Sequence, residues 1–440
     1  MTSILPPEVW LRVFEEGVFW DERWIDIDFL REDRRNANLL SFTLVCRQWR
    51  RPAQHLLLRE ILIGAWDFIE EHTGELASRT DLPLTSLAST LLAWTAAGVK
   101  LAEAVQVLHV SVGLRERARG ERYWNSTLDD VARLVGLCPN LRHLSLRIHG
   151  DPTGYTPVMS PTALSLFERA PKSITQLTYV DMQSAATLQR HRTITAVRAG
   201  QAMTVPDVDP DWRPLFWLIA ALKNVQYLRV EASDADVTSN FAYPFNITTL
   251  RTLVANIPGQ ITSSSFLAHL LPSSPQLESV VLAEPRNETL QLVSPSVHSL
   301  TLLGELMEQL DFTPLRGLQH LSVQHNWLVH YTVLDDPSSI LSTLPSSLYR
   351  VIIHAHEIVS PWSVKNDYET IVQAFLKLFA GRQGTISRAR SYKIIAVLDK
   401  LVAPDALNNC SAWCAASNVD FIILKQQHTA IPWKEVRRPI

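Results

Sequence analysis

An apolar-x-x-apolar-x-apolar motif recurs along most of this chain, and no other feature restricts its fold as tightly. The motif reads Val105/Leu108/Val110, Leu141/Leu144/Leu146, Ile174/Leu177/Tyr179, Val225/Leu228/Val230 and Leu250/Leu253/Ala255. It continues as Leu277/Val280/Leu282, Val297/Leu300/Leu302, Leu318/Leu321/Val323 and Leu348/Val351/Ile353, with a last copy at Val419/Ile422/Leu424 and a further strand over residues 394–398. The last two apolar positions of each copy alternate, as a strand with one buried face requires. The first turns the chain inward ahead of the strand. Short apolar helices bounded by proline precede many copies: Ser160-Pro161 to Ala170-Pro171, Thr127 to Cys138-Pro139, Ser265 to Pro272, and Asp336-Pro337 to Pro345. Proline fits the first turn of a helix and follows its end. The 25 prolines against 15 glycines match a chain of helix-then-strand units.

This arrangement resembles the leucine-rich repeat, in a degenerate form. Copies start roughly 20 to 50 residues apart, and of the asparagines that usually follow the strand only Asn326 sits in register. The resemblance implies an α/β solenoid, a curved parallel sheet with outer helices; the competing expectation is a non-solenoid α/β domain built on a parallel sheet. In a solenoid, residues between the buried positions line one continuous face suited to protein recognition. That face comprises His143, Ser145, Arg147, Gln176, Thr178, Tyr227, Arg229, Glu231, Ser279, Ser299, Thr301, His320, Ser322, Gln324, Arg350 and His354. The residues singled out to contact a protein target are His143, Arg147, Tyr227, Arg229, Glu231, His320, Gln324, Arg350 and His354.

The first sixty or so residues follow another pattern. In LPPEVWLRVF, proline and Glu8 suit a helix start, and Val9, Trp10, Val13 and Phe14 form a wide apolar stripe. A second helix is expected over residues 38–52, with Leu40, Leu44, Val45 and Trp49 on one side and Pro52 discouraging continuation. A third apolar stretch, residues 53–63, is expected to pack across both. The two half-motifs, LPPEVWLRVF and LLSFTLVCRQWRR, resemble the F-box. That resemblance implies a three-helix hook for the Skp adaptor of a cullin–RING ubiquitin ligase, with Leu5, Pro6, Val9, Val13, Leu44, Val45, Cys46 and Trp49 facing the adaptor. One departure is the charged, Trp-rich insertion 15–38, longer than the usual connection; surface loops tolerate such lengthening at little cost. The alternative is that these helices only cap the repeats, since terminal repeats need a cap.

Other classes of function find little support. A net charge of −3 leaves no basic excess for nucleic acid. The beginning MTSILPPEVW has neither a basic nor an apolar leader region, and no apolar run is long enough to span a bilayer. Four scattered cysteines, Cys46, Cys138, Cys410 and Cys414, fit reduced thiols in the cytoplasm or nucleus. No phosphate-binding glycine loop, H-E-x-x-H or G-x-S-x-G motif occurs. His354 and His356 would share a strand face but lack further ligands, and His320, His325 and His330 match neither helix nor strand spacing. Cys410 and Cys414 suit a buried pair on one helix face as well as a ligand pair. No cofactor, metal or catalytic residue is expected. The expected division is an F-box over 1–63, linking helices over 64–104, repeats over 105–427 and a tail over 428–440, acting as a substrate-recognition subunit for an unidentified target protein.

Overall fold

The computed structural model describes residues 6, 9–10, 41, 44–63, 66–69, 76–79, 84–98, 100–116, 122–126, 128–149, 161–181, 213–231, 247–257, 266–283, 285–303, 310–324, 343–355, 364–382, 392–398 and 404–425. Leu5, Val13, the insertion 15–38, Asn326, His325, His330, His356 and the tail lie outside them. Two compact units divide the chain, one of Met1–Thr178 with Gln427–Ile440 and the other of Tyr179–Gln426.

In the first unit, helix α1 (Arg47–Arg59) leads into strand β1 (Glu60–Ile63), followed by β2 (Trp66–Ile69), β3 (Leu76–Arg79) and α2 (Leu84–Ala96). Then come β4 (Val107–Glu116), β5 (Arg122–Ser126), α3 (Leu128–Leu137), β6 (His143–His149), α4 (Pro161–Glu168) and the beginning of β7 (Gln176–Asp181). β1 and β6 flank β4 in parallel, Ile61 opposite Leu108 and Leu108 opposite Leu144. β5 turns back antiparallel on the end of β4.

Four expectations are corrected here. The helix over 38–52 is broken at Cys46, whose extended φ/ψ makes it the N-cap of α1. Pro52 does not end α1 but lies inside it. The helix survives the missing N–H because its next turn buries Ala53 and Leu56 beside Trp10, Trp49 and Leu57. The stretch 53–63 is not one helix, since Glu60–Ile63 leaves it to pair with β4, Ile61 and Ile63 suiting a pleated surface. Within 64–104, Trp66–Ile69 and Leu76–Arg79 form an antiparallel hairpin rather than helix. Trp66, Phe68 and Ile69 are residue types that favour a strand.

In the second unit the order is α5 (Arg213–Ala221), β8 (Tyr227–Glu231), β9 (Thr252–Asn256), α6 (Phe266–Leu270), β10 (Ser279–Ala283), α7 (Asn287–Leu292), β11 (Ser299–Leu303) and β12 (His320–Gln324). β13 (Arg350–Ala355), α8 (Val364–Ala380), β14 (Tyr392–Leu398), α9 (Pro404–Ala416) and β15 (Val419–Lys425) complete it. Its strands lie in sequence order from β8 to β15, each parallel to the next. Parallel strands need crossover connections, and α6 to α9 occupy four of them. The architecture is α/β, with parallel strands and helical connections in each unit.

The motif read from the sequence is the core. Every apolar residue of the copies from Val105 to Ile353 is at most 2% exposed. The last copy is misregistered by one residue. Register aligns Phe421 with Ile394 and Val351, so Phe421 and Ile423 share the core-side rows, while Ile422 falls opposite Ile395 on the other face. A run of Phe-Ile-Ile-Leu carries no alternation to fix the phase, and pairing with β14 decides it.

Each strand is entered through the same local backbone turn. The first apolar residue donates its N–H to the carbonyl three residues earlier: Leu141 to Cys138, Ile174 to Pro171, Leu250 to Ile247, Val297 to Ser294 and Leu348 to Pro345. Just before it, a hydroxyl bridges two carbonyls of the preceding repeat. Ser173 donates toward Pro139 O and Leu141 O, Thr249 toward Lys223 O and Val225 O, Ser296 toward Pro275 O and Leu277 O, and Ser347 toward Arg316 O and Leu318 O. Gly317 holds this place before Leu318, and a Cβ there would lie 2.6 Å from Pro295 O. Ser296→Ala should therefore cost about 1 kcal/mol for the lost hydroxyl. Gly317→Ala should cost more, about 1–3 kcal/mol, because backbone must move. Urea unfolding midpoints read both, and equal midpoints for the two variants would contradict this account.

Candidate functional site: two partner-binding surfaces

The first surface lies around the start of α1. Trp10 and Trp49 pack with ring centroids 4.9 Å apart, above the buried Ala53 and Leu56. Cys46 O receives the N–H groups of Trp49 and Arg50 at 3.2 and 3.1 Å, fixing the helix start. Residues on the near side of this break point elsewhere. Leu44 is 85% exposed, Val45 59% and Val9 39%. Pro6 and Cys46 are exposed and Trp49 half-buried. Six of the eight residues that the F-box resemblance assigns to adaptor contact are thus described, and all six reach the surface to some extent. Burying Leu44 and Val45 on a partner would be worth about 1.5–3 kcal/mol for each side chain.

The second surface is, in each unit taken by itself, the sheet face opposite the core. Of the residues expected to meet a target in the first unit, Arg147 lies on β6 opposite Ser111. His143 is half-buried, its Nε2 2.9 Å from Thr178 Oγ1 and its ring 5.6 Å from that of His109. His109 in turn lies 3.2 Å from Glu60 Oε1. Thr178 and Ser145 are buried, so this part presents imidazoles and not hydroxyls.

In the second unit, lateral register places Ser299, His320, Arg350, Lys393 and Asp420 in one row across β11 to β15. Tyr227, at the start of β8, is half-buried. Arg229 and Glu231, two apart on one strand and hence on one face, satisfy each other, with Arg229 Nε donating to Glu231 Oε1 at 2.7 Å. This pair is internally neutralised, with side chains only 23% and 25% exposed, and offers a partner little net charge. His354, opposite Gln324 in register, is not at the surface as expected but buried, with Nε2 2.8 Å from Ser322 Oγ. Its partner Ser322 sits on the neighbouring strand β12, which a pattern read along one strand cannot reveal. His320 remains half-buried, its Nε2 3.3 Å from the Tyr349 hydroxyl and its ring 5.0 Å from that of Tyr349.

Several features lay beyond the sequence reading. The regular helix α8 buries Ile371, Val372, Phe375, Leu376 and Phe379; this i, i+1, i+4, i+5, i+8 stripe was there to be read. At its end the Arg382 guanidinium donates to the carbonyls of Leu344 and Pro345, and Arg382 O accepts from Tyr392 Oη at 3.0 Å. Burial lowers the Arg382 pKa from its ordinary value. Phe379 stacks on Tyr392 at 4.4 Å. Lys393, half-buried beside Arg350, follows only from the register of β14.

Among the described residues, no three His, Cys, Asp or Glu side chains are grouped to hold a metal ion. Burial pushes the thiols of Cys138 and Cys410 up to about 12 and that of Cys414 up to about 11, against nucleophilic or ligand roles. Among the described residues no helix is long and apolar enough to cross a membrane. A comparison with protein-family models returns no match, and a comparison with curated proteins returns no significant similarity.

Cysteine accessibility follows directly. In native protein a thiol reagent at pH 8 should modify Cys46 quickly, with Cys138, Cys410 and Cys414 reacting only in denaturant. Release of more than one thiol equivalent in the native burst would show that α9 or the α3 turn opens.

Proposed function

We propose that this protein is a substrate-recognition subunit of a cullin–RING ubiquitin ligase, holding the Skp adaptor through its N-terminal F-box-like segment and a target protein through a leucine-rich-repeat-like sheet face. The observation that carries the reading is the exposure of Leu44 and Val45. A helix serving only to cap the repeats would turn its apolar residues inward, as α1 does with Ala53 and Leu56. Here the residues that match the F-box pattern face outward instead, leaving an apolar patch whose burial needs a partner. The mixed polar sheet face supports the second half of the proposal, since protein interfaces combine such polar rows with half-buried aromatics. The chain's part in the chemistry is proximity: it brings a target lysine near a ubiquitin-charged thiol that belongs to another protein. No catalytic group is required of it. The same reading places the protein in the cytoplasm or nucleus, where these ligases act.

The test is co-expression with the Skp adaptor and capture. Leu44→Asp/Val45→Asp should abolish capture with a melting temperature unchanged within a degree or two, because neither side chain is packed in the free chain. Trp49 is less suited to substitution, since it packs on Trp10 and its loss would disturb the fold. Adaptor bound to wild type should also shield Cys46 from thiol reagents. Failure of the folded wild type to bind would leave the N-terminal segment as a cap and end the ligase assignment.

A further inference from the structure

We propose that the far end of the second unit's sheet face, at Arg350 and Lys393, is the place where an acidic, carboxylate-bearing segment of the target docks. The inference rests on the reading of this face as the target-binding surface and names the chemistry of what it takes.

The carrying observation is Arg350. Its side chain is half-buried, its Nε is shut off from solvent, and among the described residues no acceptor lies within hydrogen-bond reach of that atom. Two other partly buried arginines among the described residues are answered internally: Arg229 by Glu231, and Arg382 by two carbonyls. A guanidinium desolvated in part without an anion is costly, and a docking carboxylate can meet its two outer Nη groups, not the enclosed Nε, with two parallel bonds. Lys393 stands directly beside it, one strand over, on the same face. Lys393 is 40% exposed and only 4.0 Å from a carboxylate oxygen of Asp420, itself 54% exposed, a contact too long and too wet to hold the ammonium. On the other side of Arg350 stands His320, whose imidazole and the Tyr349 hydroxyl add polar donors.

The row is short: His320, Arg350 and Lys393 stand together, and Asp420 closes it on β15 as its acidic member. Neighbouring strands are about 4.8 Å apart, so His320, Arg350 and Lys393 span about 10 Å, the reach of three residues of extended peptide. One row further along the strands the surface turns apolar, with Ile352 half-buried and Ile422 exposed on the edge strand. A peptide crossing the strands would therefore set carboxylates on Arg350 and Lys393 and an aliphatic side chain against Ile352. The pairing of charge and apolar step gives orientation as well as attraction.

The experiment uses the full-length protein and fluorescence anisotropy. The probe is a fluorescein-labelled peptide of repeated Asp-Leu-Glu units, set against its Asn-Leu-Gln counterpart and one with phosphoserine in place of each Glu. Wild type should bind the acidic probe at least about tenfold more tightly than the amide probe. Arg350→Gln should remove about that tenfold and Lys393→Gln a smaller part, while Arg350→Lys keeps some of it. Lys223→Gln, an exposed cation on the turn before β8, should change nothing. Equal affinity for acidic and amide probes, or an equal loss on Lys223→Gln, would overturn the proposal. Clear preference for the phosphoserine probe would overturn it too, assigning the site to phosphate. A melting temperature for each variant separates lost contact from lost fold. Capture of the Skp adaptor by the same preparations keeps the two readings apart: lost peptide binding with intact capture refutes this inference alone, and the reverse refutes the ligase assignment alone.

Discussion

From β8 to β13 one backbone carbonyl at the head of a strand accepts two N–H groups from the head of the next, and the register of these strands hangs on that shared acceptor. Gln226 O takes the amides of Arg251 and Thr252, Arg251 O those of Glu278 and Ser279, Glu278 O those of His298 and Ser299. The relay continues from His298 to Gln319 and His320, and from Gln319 to Tyr349 and Arg350. Gln106 and Arg142 play the same part in the first unit. A strand slipped by one residue would lose both bonds and turn its apolar residues to the wrong face. Because the anchor is backbone, it does not depend on which side chain occupies the position. Connections of very different length can therefore deliver strands to the same alignment, which explains how copies spaced so unevenly still bury the same three residues each.

The division of the sheet into two faces follows from this anchoring. With register fixed, alternate residues fall into rows that run across strands, and the row, not the strand, becomes the unit of surface chemistry. Rows near the strand heads carry hydroxyls, imidazoles and cations, while the next row is filled in part by Val254, Val281, Ile352 and Ile395. Any partner crossing the strands meets a sequence of groups drawn from residues far apart in the chain.

The apolar triads were legible because their periodicity is strong and repeated, and a residue on the core side of a parallel strand has no alternative partner. Helices such as Leu128–Leu137 and Pro161–Glu168 were legible from their proline punctuation. What failed was information that lives between strands. The phase of β15 was set by β14, the burial of His354 by its neighbours, and the pairing of Arg229 with Glu231 by a side-chain choice that no spacing dictates. Pro52 misled for a different reason: a tertiary cluster under α1 outweighed a local preference. At the N-terminus the residue types of the apolar patch were readable, whereas their outward exposure depends on Cys46 leaving the helical conformation.

That break at Cys46 separates two jobs within a few residues. Downstream, Trp49, Ala53 and Leu56 are tied into the fold; upstream, Leu44 and Val45 contribute almost nothing to it. Substitutions on the outer side therefore leave the folded population intact and escape the cellular triage that clears unstable chains. Such a chain would persist at full abundance with its sheet face unchanged and only the outward apolar patch altered. Lesions a few residues later act in the opposite way, lowering abundance.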